Sequence, residues 1–322
     1  MQILKNITED KLPILAWPKK MAMISGLIEY GYIEDSGLIL PFALINKAKF
    51  IRIIQLPTTI IGKYDETEAR SFLNKAVELL RKEYHAAIIM SLNTSPMITY
   101  PEKALYCKFG SYILDLSPSE EDLFKGLHSK HRNVIKKAMK DGVEITYGQE
   151  NVDVCVSLIG ETYGRQGKSA SNESYYRNLA FLGDNCDYWV ARLDGKVQGC
   201  AIILWDKDTA YYMHGGSCNH PHSGAMNLLQ WEVIKKMKER GVKKYDFVGA
   251  RATVVEGSKL EGIQRFKERF GGELIMGYRW EIDCNTVNAA IYRLMIWVKA
   301  KIINRSPDPT NLIKFERKRG NF

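Results

Sequence analysis

The chain has 322 residues, 45% of them hydrophobic, with 46 basic against 37 acidic side chains and a formal net charge of +9. That is enough apolar material for the cores of two ordinary domains, and it excludes a disordered chain. The basic balance fits either anionic partners (nucleotides, phosphates, tRNA, an anionic membrane) or a plain solvated surface.

The first 18 residues carry Lys5, Glu9, Asp10 and Lys11 and no long apolar run, so no signal peptide is expected. No stretch of about 18 uncharged apolar residues predicts a membrane-spanning helix. The expected location is the cytoplasm, at most peripheral to the inner face of the membrane. Cys107, Cys155, Cys186, Cys200, Cys218 and Cys284 form no CxxC pair and read as free thiols. Cys218, His220 and His222 lie close together, but no further ligand cluster joins them. They read as loop residues, and no metal is expected.

Taken in chain order, residues 26–34, 38–45 and 50–56 read as strands, the first two joined at Asp35-Ser36-Gly37. A helix is predicted over 66–84, with Phe72, Ala76, Leu79 and Leu80 on its apolar face. Residues 87–92 and 111–116 are further strands. This first lobe is α+β-like and is not a nucleotide-binding βαβ series. Ser117-Pro118-Ser119-Glu120-Glu121 opens a helix running to about Asp141, since proline and acidic side chains both suit a first turn. Leu123, Leu127, Val134 and Ala138 mark its buried side. Lys125, Lys130, Arg132, Lys136, Lys137 and Lys140 crowd the same segment. They make either a solvated basic face or a phosphate-contacting one, with Arg132 and Lys136 the candidates for acceptor phosphates.

The second lobe begins near Val143. Residues 154–163 and 174–182 read as helices on either side of a polar loop, 164–172. Strands at 188–193 and 197–204 meet at Asp194-Gly195, a hairpin signal, and a third follows at 209–215. A loop over 215–224 leads into a helix at 225–240 bearing Met226, Leu229, Val233 and Met237. A strand at 244–248, a helix at 260–270, Gly271-Gly272 and a strand at 273–282 complete the order β-β-β-α-β-α-β. A strand, a loop of small residues and a helix start together present backbone N–H groups and partial positive charge. Gly215, Gly216, Ser223, Gly224 and Ala225 are therefore candidates to cradle a cofactor phosphate, with Arg251, just past Gly249, as a further donor-phosphate contact. The last helix, 286–303, places Val287, Ile291, Leu294, Val298 and Ile302 on one face, which Met295, Ile296 and Trp297 widen. That face either packs on the first lobe or docks on an anionic membrane. The tail, 304–322, reads as polar and basic.

Three segments carry a resemblance. Residues 228–247, LLQWEVIKKMKERGVKKYDF, followed by Gly249, resemble the late motif of the Fem-type peptidyltransferases, the aminoacyl transferases that build peptidoglycan cross-bridges. The run GIQRFKERFGG from Gly262 to Gly272 resembles their F-K-x-x-F-G-G-like signature. Residues 130–142, KHRNVIKKAMKDG, resemble the basic helix ahead of their second lobe. The likeness covers about residues 115–285, and the first lobe fits in layout. It implies an α+β fold of tandem GNAT-like domains with a cleft between them. The first lobe would span 1–142, including the basic helix 119–141, and the second 143–285. Residues 286–322 would pack back on the first lobe. The resemblance also implies a nucleotide- or lipid-linked amino-sugar or peptide acceptor. The donor it implies is aminoacyl-tRNA, with acyl-CoA the alternative, and no tightly bound cofactor. DNA is not an expected partner. The long helical hairpin of some members is absent here, as in the compact members.

The expected function is transfer of an acyl or aminoacyl group to an amino group of a cell-envelope or surface-polysaccharide precursor. The alternatives are an acetyl-CoA-dependent N-acetyltransferase of an amino sugar and a non-catalytic RNA-binding or scaffold protein. In transfer the acceptor amine is the nucleophile, so no serine or cysteine triad is needed. The protein must position both partners, offset the developing oxyanion and pass on a proton. Lys267 is the leading candidate, because the resemblance places a functional lysine there. Asp246 is a base or an orienting partner, Tyr212 and His214 are candidate proton relays, and Tyr163 and Arg165 begin a loop lining the acceptor side. Each has a plainer reading: Lys267 a surface lysine between Phe266 and Phe270, Asp246 a hydrogen-bonded structural group, the others packing.

Overall fold

The computed structural model describes residues 1–47, 50–94, 96–167, 172–254, 256–302 and 312–322. The chain divides into two compact units: Met1–Ser111, Gly249–Val254 and Ile275–Phe322 form the first, Tyr112–Val248 and Val255–Leu274 the second. The division falls within a strand at Ser111/Tyr112, whereas the sequence suggested Gly142. The basic helical segment therefore goes with the second unit.

In the first unit, β1 (Gln2–Leu4) is followed by a short α1 (Pro18–Met21), then β2 (Leu27–Asp35), β3 (Leu38–Lys47) and β4 (Ile51–Leu56). These four strands pair antiparallel in succession. Ser36 and Gly37 both have positive φ, as the tight two-residue turn between β2 and β3 requires. α2 (Glu66–Tyr84) covers the span read from the sequence. Asp65 and Glu68 form a capping box at its start. Its Ala69, Phe72, Leu73, Ala76 and Leu80 sink into a core with Ile33, Phe42, Ile54, Ile89 and Trp280. Each large side chain buried there contributes roughly 1.5–3 kcal/mol. β5 (Ile88–Ser91) pairs parallel to β4. β6 (Leu105–Asp115) then carries the chain into the second unit.

There the single helix expected to Asp141 is two, α3 (Glu120–Gly126) and α4 (Ser129–Lys140). Leu127 is extended, and the Lys130 N–H donates to His128 Nδ1 at 3.2 Å, capping α4. The carbonyls left at the end of α3 are taken by the Arg132 guanidinium, which donates to Lys125 O at 2.8 Å and to Leu127 O. The break rotates α4, so His131, Ile135 and Ala138 are buried rather than Val134. The chain continues through β7 (Glu144–Tyr147), which the sequence reading missed, α5 (Val152–Arg165), α6 (Glu173–Asn178), β8 (Cys186–Leu193), β9 (Lys196–Trp205), β10 (Thr209–Ser217), α7 (Ala225–Glu239) and β11 (Lys244–Asp246). The sheet of this unit runs β6-β11-β10-β9-β8-β7, with β10 and β11 parallel and the other neighbours antiparallel. Asp194 and Gly195, both at positive φ, make the predicted hairpin between β8 and β9.

β12 (Ala250–Arg251) pairs with the first-unit part of β6. α8 (Lys259–Glu268) belongs to the second unit, and β13 (Glu273–Asp283) returns to the first, where it pairs with β5. α9 (Thr286–Ile302) and α10 (Leu312–Arg317) end the chain. α9 does pack on the first unit, but not by its predicted face. Ala289 and Tyr292 point inward to Ile45, Ile51, Ile53, Ala87 and Ile88, while Val287, Ile291, Leu294, Val298 and Ile302 are exposed. Within the tail read as polar, α10 buries Ile313 and Glu316.

Candidate active site

The pairing of β10 with β11 lasts three residues: Thr209 with Lys244, Ala210 with Tyr245, Tyr211 with Asp246. Beyond Tyr211, β10 continues to Ser217 against β9, with an irregularity between Tyr212 and His214 that bulges the strand. The carboxyl ends of two parallel strands part here, the position at which open α/β sheets bind ligands.

Asp246, Val248 and Lys267 come together at this parting. Val248 has φ +49° and Gly249 φ +78°. The left-handed region is natural for glycine but costs a β-branched residue on the order of 1–3 kcal/mol. Two charged side chains hold the strained residue. The Asp246 carboxylate accepts the Val248 N–H at 2.7 Å, and the Lys267 ammonium donates to the Val248 carbonyl. Asp246 is 6% and Lys267 8% exposed, so the surface reading of Lys267 is corrected.

α8 delivers Lys267 because both its ends are anchored. Ser258 caps the start by accepting the Glu261 N–H at 3.2 Å. Phe266 meets His131 edge-on at 5.5 Å and Phe270 meets it tilted at 4.7 Å, and Phe270 is fully buried. Burial pushes the His131 imidazole down to about 4, so it is a neutral packing group. Gly271 lies against α3's last residue: a Cβ there would stand 3.0 Å from the Gly126 carbonyl. With φ +82°, Gly271 is the helix stop read from the sequence.

Burial pulls the Lys267 ammonium down to about 8, and the negative charge of Asp246 opposes that shift without cancelling it. Burial raises the phenols of Tyr211 and Tyr245, which flank Asp246; the carboxylate charges of Asp206 and Asp246 add to the first, and Tyr212 and Asp246 to the second. The centre of the site thus holds one cation, one anion and phenols that stay protonated.

The remaining candidates separate. Gly215 and Gly216 are strand residues of β10, not loop residues, which corrects the expected loop over 215–224. A Cβ on Gly215 would meet the Tyr212 hydroxyl at 2.0 Å, and one on Gly216 the Leu158 carbonyl of α5 at 2.8 Å. The first glycine makes room for Tyr212, and the second lets α5 close on the sheet. Gly224 (φ +90°) heads α7, where a Cβ would stand 2.2 Å from the Val134 carbonyl of α4. Ser223 is exposed, and the Ala225 N–H is already taken by the His222 carbonyl at 3.0 Å. His222 Nε2 lies 2.9 Å from Asp141. α7 has no side-chain cap, so its N-terminus keeps the electrostatic character expected of it.

His214 stands edge-on to Tyr176 and Tyr175 at 4.9 and 5.7 Å, with Nε2 shielded from solvent; its surroundings are those of a packed aromatic wall. Tyr163 and Arg165 belong to the last turn of α5 rather than to a loop. Arg165 donates to the Ser217 carbonyl, and Thr162 Oγ1 accepts the Ser217 N–H at 3.0 Å, so this turn pins the far end of β10. Arg132 is occupied at the α3–α4 joint, and the exposed Lys136 lies 5.8 Å from the Phe124 ring. Arg251 lies in the first unit, ion-paired to buried Glu316 at 3.2 Å, so its predicted donor-phosphate role gives way to a structural one. Sequence reasoning missed Val248 and Thr162: a backbone angle and a strand-end contact leave no mark in composition or period.

Residues 128–268 match the acetyltransferase (GNAT) domain family. A lipid II:glycine glycyltransferase of Staphylococcus haemolyticus is 28% identical over 120 residues, which is 37% of this chain; the match spans 28% of that relative's length. Among solved structures, FemX aligns over 91% of this chain and 99% of its own, at a TM-score of 0.68 and 14% identity. The structure of L-PGS from Bacillus licheniformis aligns over 89% of this chain and 92% of its own, at a TM-score of 0.52 and 14% identity. The expected mixed α/β fold with a GNAT domain is borne out, and so is the resemblance to the Fem type.

Proposed function

Starting from a GNAT domain over residues 128–268 in a chain folded like FemX, we propose that the protein transfers an acyl or aminoacyl group to an amino group of a cell-envelope or surface-polysaccharide precursor. The observation that carries this reading is the Val248 backbone, held at its N–H by Asp246 and at its carbonyl by Lys267 where β10 and β11 part. The acceptor nitrogen attacks the donor carbonyl carbon, and the π pair moves onto oxygen. When the tetrahedral intermediate collapses, the bond to the leaving oxygen or sulfur breaks and the amine proton passes to the leaving group or to water. The Lys267 charge, held in a low-dielectric setting, counters the growing negative charge, and the clamp keeps the strand end in place while it does so. Asp246 keeps the lysine charged at neutral pH.

The name of the glycyltransferase relative supports an aminoacyl donor and a lipid-linked acceptor. The acetyltransferase description of the domain supports an acyl-CoA donor, which is the second reading. With a lipid-linked acceptor, peripheral contact with an anionic membrane belongs to the same proposal. No helix among the described residues is long and apolar enough to cross a membrane.

The test is to incubate the pure protein with charged tRNAs or acetyl-CoA, in turn, and a panel of nucleotide-linked amino sugars and lipid-linked muropeptides, following product mass. Appearance of an amide product identifies both partners. Silence across the whole panel, alongside measurable tRNA retention, would move the protein to the RNA-binding scaffold class.

A further inference from the structure

α9 is apolar on two opposite sides. The inner side, Ala289 and Tyr292, is spent on the first unit's core. The outer side faces solvent: Val287 is 66% exposed, Leu294 59% and Ile302 78%, with Ile291 and Val298 between them. At about 100° per residue these five positions make one continuous stripe. Trp297 flanks it, with the Lys301 ammonium 4.5 Å from its ring centre. A contiguous stripe of large apolar groups facing water marks an interaction surface.

Charge says what covers it. Residues 286–322 hold eight basic and two acidic residues, so this end of the chain carries +6 of the net +9. Of the described basic side chains, Lys301, Lys314, Lys318 and Arg319 are exposed, whereas the acidic Glu316 is buried against Arg251. A second copy bound through this end of the chain would bring like charges together; an anionic lipid surface neutralises them. The helix has 17 residues, short of the roughly 20 a span needs.

We propose that the outer face of α9 lies in the headgroup region of an anionic bilayer. Val287, Ile291, Leu294, Val298 and Ile302 enter the acyl boundary, Trp297 sits at the interface, and the basic residues meet lipid phosphates. This deepens the lipid-linked-acceptor reading and rests on it for its purpose: it puts the protein on the surface where such an acceptor is embedded.

The experiment is co-sedimentation of the full chain with vesicles of phosphatidylcholine alone or phosphatidylcholine mixed with phosphatidylglycerol. Binding is expected to the mixed vesicles and to weaken with salt. Leu294→Glu/Val298→Glu should weaken it at least about tenfold, and Lys301→Glu/Lys318→Glu by about fivefold per residue. Turnover of a water-soluble, nucleotide-linked acceptor should be unchanged in both variants, which also shows that they fold. If the wild type ignores mixed vesicles, or Leu294→Glu/Val298→Glu binds them as the wild type does, the proposal falls. It also falls if ultracentrifugation shows a dimer that the same variant dissociates. If vesicle binding holds while no acceptor is ever acylated, the transferase reading fails and the membrane surface stands.

Discussion

Each unit sets a cation beside a buried carboxylate, and the two pairs are built to opposite ends. In the first unit Glu316 accepts from Arg251 at 3.2 Å, Thr253 at 2.8 Å and Asn321 at 3.2 Å, so the buried carboxylate is hydrogen-bonded on both oxygens. In the second unit Asp246 does not fully compensate Lys267, whose ammonium remains pulled down to about 8, and both side chains grip a strained backbone. The first arrangement fastens α10 to β12. The second leaves an incompletely compensated charge where two strands part, and the proposed role of Lys267 rests on that difference.

The comparison breaks most sharply at the two cations' partners. Lys267→Met should lower acyl transfer per folded molecule by about 10²–10³, in line with the loss of one oxyanion-stabilising group, and any fall in melting temperature reports the buried Asp246 carboxylate left without that cation. Unchanged turnover would strip Lys267 of its role. Glu316→Ala should do the reverse. It removes the buried acceptor shared by Arg251, Thr253 and Asn321, at a cost of about 3 kcal/mol in urea denaturation, with the kcat of the folded fraction intact.

pH sharpens the contrast further. If the site needs the charged lysine, turnover should fall as pH rises through about 8. The stability linkage has the opposite sign: the folded lysine titrates near 8 and the unfolded one near 10.5, so between those values the unfolded chain binds more protons. Wild-type stability should therefore climb relative to Lys267→Met across that window, as urea midpoints at stepped pH would read out. The smallest effect is expected from Val248→Gly. Relief of the positive φ should raise stability by up to about 1 kcal/mol, the flexibility of glycine in the unfolded chain taking back part of the gain. Turnover should fall at the same time; a rise in both would show that the clamp is not part of the chemistry.

Much of the fold was legible because its signals are local. The helix at Glu66–Tyr84 has its capping residues and its apolar face in sequence, and the hairpin at Asp194-Gly195 has its turn chemistry. Lys267 and Asp246 stood out as candidates through a motif and through an unusual acid in a strand, and the structure sets both beside Val248. The Gly215–Gly216 pair misled, since a glycine that admits a neighbouring helix and one that opens a phosphate loop look alike in a one-dimensional string. Arg251 misled for a related reason: a cation near a glycine gives no hint that Glu316, 65 residues on, will claim it.

By itself the sequence determined most of the elements and their order and the GNAT-like second lobe, and it singled out Lys267 as the candidate to test, because periodicity, capping, turn residues and a local motif act between near neighbours. Only the tertiary structure decided that the basic segment is two helices jointed by Arg132, and that Val248 is held at both its N–H and its carbonyl. It also decided that the predicted stripe of α9 faces water. An amphipathic period says that a helix has a distinct apolar face; which face a core has room for depends on side chains far along the chain, here Ile45, Ile51, Ile53 and Ile88, which accept Ala289 and Tyr292 instead.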